Sequence, residues 1–190
     1  MQTTHPGLFL SALRYASENG FVNLFHFSED PSIQRFTPHI PRSNPMQPAC
    51  VWAIDETHAP LYWFPRDCPR VTAWPRNADE RGPFRSAFCT TAARVHAIEL
   101  VWLPALSTTT LYRYRFDAAA FRPWPEASGQ WIADQTIEPV DVIDMGDLVR
   151  HHVDADIELR AVPSLWPIRD LAPSGPWDFS IVRFMNARPR

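Results

Sequence analysis

The chain contains no lysine, and all 18 of its basic residues are arginine. This excludes a Schiff-base lysine, a lysine general base and a Walker A phosphate loop, which requires lysine. Any phosphate group would have to be bound by arginine, backbone amides or hydroxyl groups. The net charge of −3 gives no general attraction to nucleic acid or to an anionic membrane, so neither is an expected partner.

Cysteine is also scarce, with three residues at widely separated positions, Cys50, Cys68 and Cys89. There is no CxxC pair, so neither a structural zinc site nor a disulfide framework is predicted. The first residues lack the basic and apolar segments of a signal peptide. No apolar run approaches the roughly 20 residues that cross a bilayer. We therefore expect a cytoplasmic protein without a membrane segment.

Aromatic residues and proline are abundant. Eight tryptophans and twelve phenylalanines in 190 residues predict one domain over residues 1–190 with an aromatic core. Twenty prolines against six glycines divide the chain into short elements and disfavour long helices.

The hydrophobic pattern predicts an α+β fold with mixed and antiparallel sheets and short helices. Strands are expected at 22–27, 50–54, 70–74, 94–103, 109–116, 130–133, 137–143, 157–162 and 177–184. Helices are expected at 8–19, 56–63 and 145–152, with a helical turn near 165–171. The proline-rich segment 37–49 and the polar segment 75–82 are predicted to be loops.

Two early strands carry polar residues that a simple core does not require. The first ends in His26 followed by Ser28, and the second carries Trp52. Strand pairing that brings these side chains together would form a nucleotide pocket. Arg66 and Arg70, in a loop stiffened by two prolines, would then form a fork for a pyrophosphate or a carboxylate. The alternative is an Arg–Asp–Arg cluster that only pins the loop.

The order of four short motifs resembles the ADP-ribosyltransferase-like fold, with its split β architecture. The motifs are L-F-H-F-S at 24–28, V-W-A-I-D at 51–55, G-Q-W-I at 129–132 and I-E-P-V at 137–140. The resemblance implies that NAD is the cofactor and that His26 binds its ribose. It places Phe27 and Ser28 at the nicotinamide, Trp52 as the stacking aromatic residue, and Gln130 at the position of the catalytic glutamate.

Two positions depart from that family. Phe27 replaces the usual glycine after the histidine, although its backbone amide is still available. Gln130 replaces glutamate, and an amide adds no charge to stabilise an oxocarbenium-like ribosyl cation. Loss of such a preorganised group costs about 3–4 kcal/mol, or roughly 10²–10³ in rate. Glu99 is the first candidate to replace the missing catalytic carboxylate, and Glu138 or an acid from a partner chain are the others. Whether the protein is an enzyme is therefore left open.

The whole chain also resembles a family of uncharacterised bacterial proteins, which implies no activity. This resemblance is carried by H-F-S-E-D at 26–30, F-P-R-D-C-P-R-V at 64–71, R-V-H-A-I-E at 94–99 and L-Y-R-Y-R at 111–115.

Two other kinds of function remain open. One is a non-catalytic binding or interaction module on the same scaffold. The other is a small hydrolase that uses either Cys68 as nucleophile or Asp55 and His58 as metal ligands. His151 and His152 are adjacent on the predicted helix and face different ways, so we expect a solvated helix end rather than a metal site. Glu99 and Glu158 are expected to pair with Arg113 or Arg115.

Overall fold

A computed structural model describes residues 22–40 and 46–190, so the predicted helix at 8–19 lies outside the described residues. The chain divides into two compact units that alternate along the sequence. The first unit comprises Met1–Pro60 and Tyr112–Asp144, and the second comprises Leu61–Leu111 and Met145–Arg190. One domain over residues 1–190 stays a prediction.

The described residues form ten strands in two sheets. The strands are β1 (Leu24–Ser28), β2 (Val51–Asp55), β3 (Arg70–Trp74), β4 (Arg94–Glu99), β5 (Tyr112–Phe116), β6 (Arg122–Pro123), β7 (Gln130–Ala133), β8 (Asp141–Asp144), β9 (Ile157–Val162) and β10 (Asp178–Val182). Four α-helices accompany them, namely α1 (Ala78–Phe88), α2 (Leu103–Thr108), α3 (Leu148–Asp154) and α4 (Trp166–Leu171). The α+β class with short helices is therefore confirmed.

The first unit is built on a six-stranded antiparallel sheet in the order β6-β7-β2-β1-β5-β8. One face of this sheet, called the core face below, packs a cluster that includes Leu24, Ala53, Tyr114, Phe116 and Trp131. The residues that alternate with them point to the other face, called the second face, because successive strand side chains lie on opposite sides.

The second unit is built on a four-stranded mixed sheet in the order β10-β3-β4-β9, in which only the β4–β9 pair is parallel. Its helix-covered face packs two apolar clusters against α1 and the segment around α4. Its other face, called the polar face, carries buried Arg70, Thr72 and His96. A sheet with this many polar groups inside must satisfy them through specific partners.

Helix α1 overturns the prediction of a loop at 75–82. Asn77 caps it, since the Asn77 carboxamide oxygen accepts from the backbone amides of Asp79 (3.0 Å) and Glu80 (3.1 Å). Pro83 lies inside the helix, and the helix nevertheless buries Phe84 and Phe88 completely. Packing of these rings outweighs the weak helical signal of a segment that contains both glycine and proline.

Other boundaries differ where apolar runs lack a clear period. The helix expected at 56–63 is a single 3-10 turn, Ala59–Tyr62. The strand expected at 94–103 ends at Glu99, and the run continues into a 3-10 turn and α2. The strand expected at 137–143 begins only at Asp141, with Ile137 in an isolated bridge to Phe36. Short apolar segments do not distinguish helix from strand by periodicity alone.

Across residues 22–40 and 46–190, the helices are all too short or too polar to pass through a lipid bilayer.

Three glycine substitutions test these backbone assignments. Gly129 has a φ of +76°, and an added Cβ would lie 2.2 Å from His58 Nδ1, whereas Gly146 has a φ of +65° with open space around it. Gly82 in α1 also has open space. In urea unfolding, Gly82→Ala should stabilise by about 1 kcal/mol and Gly146→Ala should cost about 1–2 kcal/mol. Gly129→Ala should cost more than Gly146→Ala, and equal costs would contradict the close His58 contact.

Candidate functional site

The register of β1 separates the side chains that the sequence placed in one pocket. His26 pairs with Tyr114 of β5, so the two side chains share the core face. Ile54 pairs with both Phe25 and Gln130, and Trp52 pairs with Ile132, so Trp52 and Gln130 lie on the second face. The expected convergence of His26 with Trp52 and Gln130 is therefore wrong.

His26 acts as a bridge between strands. Its ring contacts that of Phe36 at a centroid distance of 4.9 Å. Its Nδ1 lies 3.2 Å from the backbone oxygen of Trp52, and because a carbonyl oxygen only accepts, Nδ1 donates. The contact holds β1 against β2 beyond Phe25, the last residue of β1 with a paired partner in β2.

Ser28 and Phe27 lie on different faces as well. Ser28 is buried, pairs with Tyr112, and its Oγ accepts from the backbone amide of Asp30 at 3.1 Å. Phe27 pairs with Arg113 on the second face, together with Trp52 and Gln130. Of the residues expected at a cofactor in the first unit, Phe27, Trp52 and Gln130 therefore share one surface.

Two hydrogen-bond donors on this second face have no acceptor among the described residues. They are the indole Nε1 of Trp52 and the guanidinium Nε of Arg113, and both atoms are buried. The Trp52 ring packs edge-on against Trp124 at 5.4 Å, and the Arg113 guanidinium lies 4.6 Å from the Phe25 ring centroid. The Arg113 guanidinium therefore lies over β1, whereas the Trp52 ring lies towards β6, because Trp124 directly follows that strand.

The arginine fork expected at the 65–70 loop is not formed. Arg66 is exposed, whereas Arg70 is 4% exposed. Arg70 Nε donates to the Leu61 oxygen at 2.8 Å and Nη1 donates to the Cys68 oxygen at 3.1 Å. Burial lowers the pKa of Arg70 to about 10, which still leaves the guanidinium charged at neutral pH. The two side chains thus differ in environment, and Arg70 points into the second unit.

Cys68 is fully buried, and its thiol lies 3.6 Å from the Pro69 oxygen. Burial raises the pKa of this thiol to about 12, although Arg70 opposes the shift. A thiol that is protonated at neutral pH is a poor nucleophile, so the alternative of a Cys68 hydrolase loses its chemical basis.

Glu99, the first candidate to replace the catalytic carboxylate, is 1% exposed, and both carboxylate oxygens accept from the Arg188 backbone amide, at 3.1 and 3.2 Å. Glu158 is bound by Arg160 at 2.7 Å and by the Thr90 hydroxyl. The expected pairing of these acids with Arg113 or Arg115 is wrong. Glu99 instead holds the C-terminal segment in place within the second unit.

Asp55 and His58 do come together. Asp55 Oδ1 accepts from His58 Nδ1 at 2.7 Å and from the His58 backbone amide at 2.9 Å. Both side chains are largely buried. The carboxylate is bound to the imidazole, which is not the arrangement of two ligands around one ion. Within the described ranges, no three His, Cys, Asp or Glu residues are grouped to hold a metal.

The sequence missed a buried histidine pair in the second unit. His152 of α3 and His96 of β4 are 1% and 0% exposed, and His152 Nε2 lies 3.1 Å from His96 Nδ1. The expectation of a solvated helix end is therefore wrong for His152. Only the apolar neighbours of His96 in R-V-H-A-I-E could have signalled that one histidine was internal.

Hydrogen bonding assigns the protons of this pair. His152 Nδ1 lies 2.8 Å from the Leu148 oxygen, so it carries a proton and donates. In the neutral ring, His152 Nε2 is then an acceptor and receives the proton of His96 Nδ1. His96 Nε2 is left as a lone pair, and it has no hydrogen-bond partner in the described part of the chain.

Burial lowers the pKa of both histidines, with further lowering of the His96 pKa by His152, Arg94 and Arg70. His151 contributes to the lowered pKa of His152. Below the ordinary histidine pKa of about 6.5, the unfolded state therefore binds more protons than the folded state. The free energy of unfolding should fall as pH drops below 6.5, by about 1.4 kcal/mol per pH unit for each histidine.

Urea unfolding between pH 7.5 and 5 measures this slope. His96→Phe should flatten it, while the same change at the exposed His39 should leave it as in the unmodified protein. An unchanged slope in His96→Phe would contradict the neutral buried pair.

Alkylation distinguishes the three cysteines. Cys50 and Cys68 are buried and Cys89 is exposed. In the folded protein at pH 7, iodoacetamide should modify Cys89 and leave Cys50 and Cys68 unmodified, as measured by peptide mass spectrometry. Faster modification of Cys68 than of Cys89 would support Cys68 as a catalytic nucleophile.

Comparison with known proteins supports a single assignment. No curated protein and no solved structure matches the chain. A family model matches residues 25–187, which cover most of the sequence and both units. The chain therefore belongs to the family of unknown function DUF6886.

Proposed function

We propose that the first unit binds a nucleotide, NAD or a related molecule, on the second face of its sheet. The observation that carries the proposal is the pair of buried donors, Trp52 Nε1 and Arg113 Nε, for which residues 22–40 and 46–190 provide no acceptor. The binding surface is the part of the second face formed by Phe27, Trp52, Arg113 and Gln130.

The energetics favour a ligand that supplies acceptors. A buried donor left without an acceptor costs about 1–3 kcal/mol, and an acceptor from a ligand would recover this. Arg113 forms no ion pair within residues 22–40 and 46–190, and its charge favours an anionic ligand. Trp52 and Phe27 add aromatic surface suited to a planar base.

The side chains that could supply a catalytic carboxylate favour binding over turnover. Gln130 supplies an amide where ADP-ribosyl transfer uses a carboxylate. The Glu99 carboxylate already accepts hydrogen bonds from the backbone amide of Arg188. Glu138 is exposed and pairs with Arg35 at 2.9 Å. The motif order that resembles the ADP-ribosyltransferase-like fold supports NAD and ADP-ribose as the ligands to test, with His26 and Ser28 now in structural positions.

Calorimetric titration with NAD, ADP-ribose and nicotinamide tests the proposal. Trp52→Phe keeps the ring and removes the donor, and Arg113→Met removes the charge. Each should weaken binding at least about tenfold, which corresponds to about 1.4 kcal/mol. Trp166→Phe is the matched control, because Trp166 lies in the second unit and already donates to the Arg188 oxygen at 2.9 Å.

Two results would overturn the binding surface. One is the absence of binding of all three compounds at millimolar concentration by folded protein. The other is binding that is unchanged in both Trp52→Phe and Arg113→Met. Time-dependent release of nicotinamide that disappears in Gln130→Ala would show that the protein is a transferase and not a non-catalytic binding module.

A further inference from the structure

Arg70 is a buried cation that has no carboxylate partner in the part of the chain that the structure describes. Its hydrogen bonds engage Nε and Nη1 with backbone oxygens, and within the described residues Nη2 has no acceptor and no carboxylate forms an ion pair with it. The guanidinium lies 5.6 Å from the Tyr62 ring centroid and 5.1 Å from that of Phe64. Buried charges are ordinarily paired with an opposite charge, so this environment favours a negatively charged partner for Arg70.

The groups closest to Arg70 do not supply this negative charge. Cys68 has a thiol pKa of about 12, so it is neutral at pH 7. Tyr62, whose ring centroid lies 5.6 Å from the guanidinium, carries no carboxylate. Arg70 itself stays charged, since its pKa is about 10.

His96 lies on the same face of the sheet. Thr72 pairs directly with His96, and Arg70 is two residues before Thr72 on β3, so all three side chains point the same way. The backbones of diagonal neighbours of this kind are about 7–8 Å apart, measured between Cα atoms. Phe64 contacts both groups, with 5.1 Å to the Arg70 guanidinium and 5.5 Å to the His96 ring.

Trp63 adds a third unmatched group to this neighbourhood. Its Nε1 is buried and has no acceptor among the described residues. Its ring lies 5.8 Å from the His152 ring, which in turn lies 5.1 Å from the His96 ring. Among the described residues, the second unit thus contains a buried cation without a carboxylate partner, together with a buried N–H donor and a buried lone-pair acceptor that form no hydrogen bond.

We propose that the polar face of the second unit binds a small oxyanion that carries a proton on one oxygen, such as hydrogen phosphate. Arg70 Nη2 donates to a charged oxygen, and the O–H of the anion donates to His96 Nε2. Trp63 Nε1 donates to a further oxygen.

The proton requirement follows from the fixed tautomer. His96 Nδ1 donates to His152, so Nε2 only accepts. An anion without an O–H would present a second lone pair to that atom and would be repelled. Phosphate and sulfate share shape and charge, but only phosphate keeps a proton at neutral pH, so the site discriminates between them.

Titration of the full chain with inorganic phosphate and with sodium sulfate at pH 7 and constant ionic strength tests this site. By calorimetry, phosphate should bind at least tenfold more tightly than sulfate. His96→Phe should abolish the preference, and Arg70→Met should abolish binding of both anions. Trp52→Phe should leave phosphate binding unchanged, which separates this site from the nucleotide surface of the first unit.

A measurement on the unmodified protein tests the same proposal if the variants do not fold. Long-range ¹H–¹⁵N spectra of the histidine rings should show His96 with a proton on Nδ1, and phosphate but not sulfate should shift its Nε2 resonance. Equal binding of the two anions, no binding of either, or an unmoved Nε2 resonance at saturating phosphate would each overturn the proposal.

Discussion

The register of strand β1 is the constraint on which the rest of the first unit depends. Leu24 pairs with Phe116 on one side and with Asp55 on the other, which places Leu24, His26 and Ser28 on the core face. A shift of one residue would exchange the two faces and bury a different set of side chains. Register therefore decides which motif residues lie on the core face and which lie on the second face.

Both units share a second feature, which is buried polar atoms that have no hydrogen-bond partner among the described residues. In the first unit these include the N–H groups of Trp52 and Arg113, and in the second they include the indole N–H of Trp63 and the lone pair of His96. Native interiors leave few such groups unmatched, since each costs on the order of 1–3 kcal/mol. Their clustering around aromatic rings in each unit is the basis of both binding proposals.

Short strands with consistent local signals were predictable from the sequence. Those at 70–74, 130–133 and 157–162 have the expected bounds, because β-branched and aromatic residues lie between clear turn signals. Helix α1 was not predictable, because Pro83 and Gly82 argue against a helix and burial of Phe84 and Phe88 overrides them.

The sites were less predictable than the strands. The motif residues were identified individually, but their faces depend on pairing between strands that are far apart in sequence. His152 contacts His96, which lies 56 residues away in the sequence. No local pattern distinguishes a buried His152 from a histidine at a solvent-exposed helix end. Trp52 and Gln130 share a face only because Ile54 and Ile132 set the β2–β7 register.

The most direct test of the account is a ¹H–¹⁵N spectrum of the protein during titration with ADP-ribose. The account predicts that the indole N–H of Trp52 and the Nε–H of Arg113 move downfield together as each gains an acceptor. Saturable binding that leaves both resonances in place, while signals from another surface move, would contradict it.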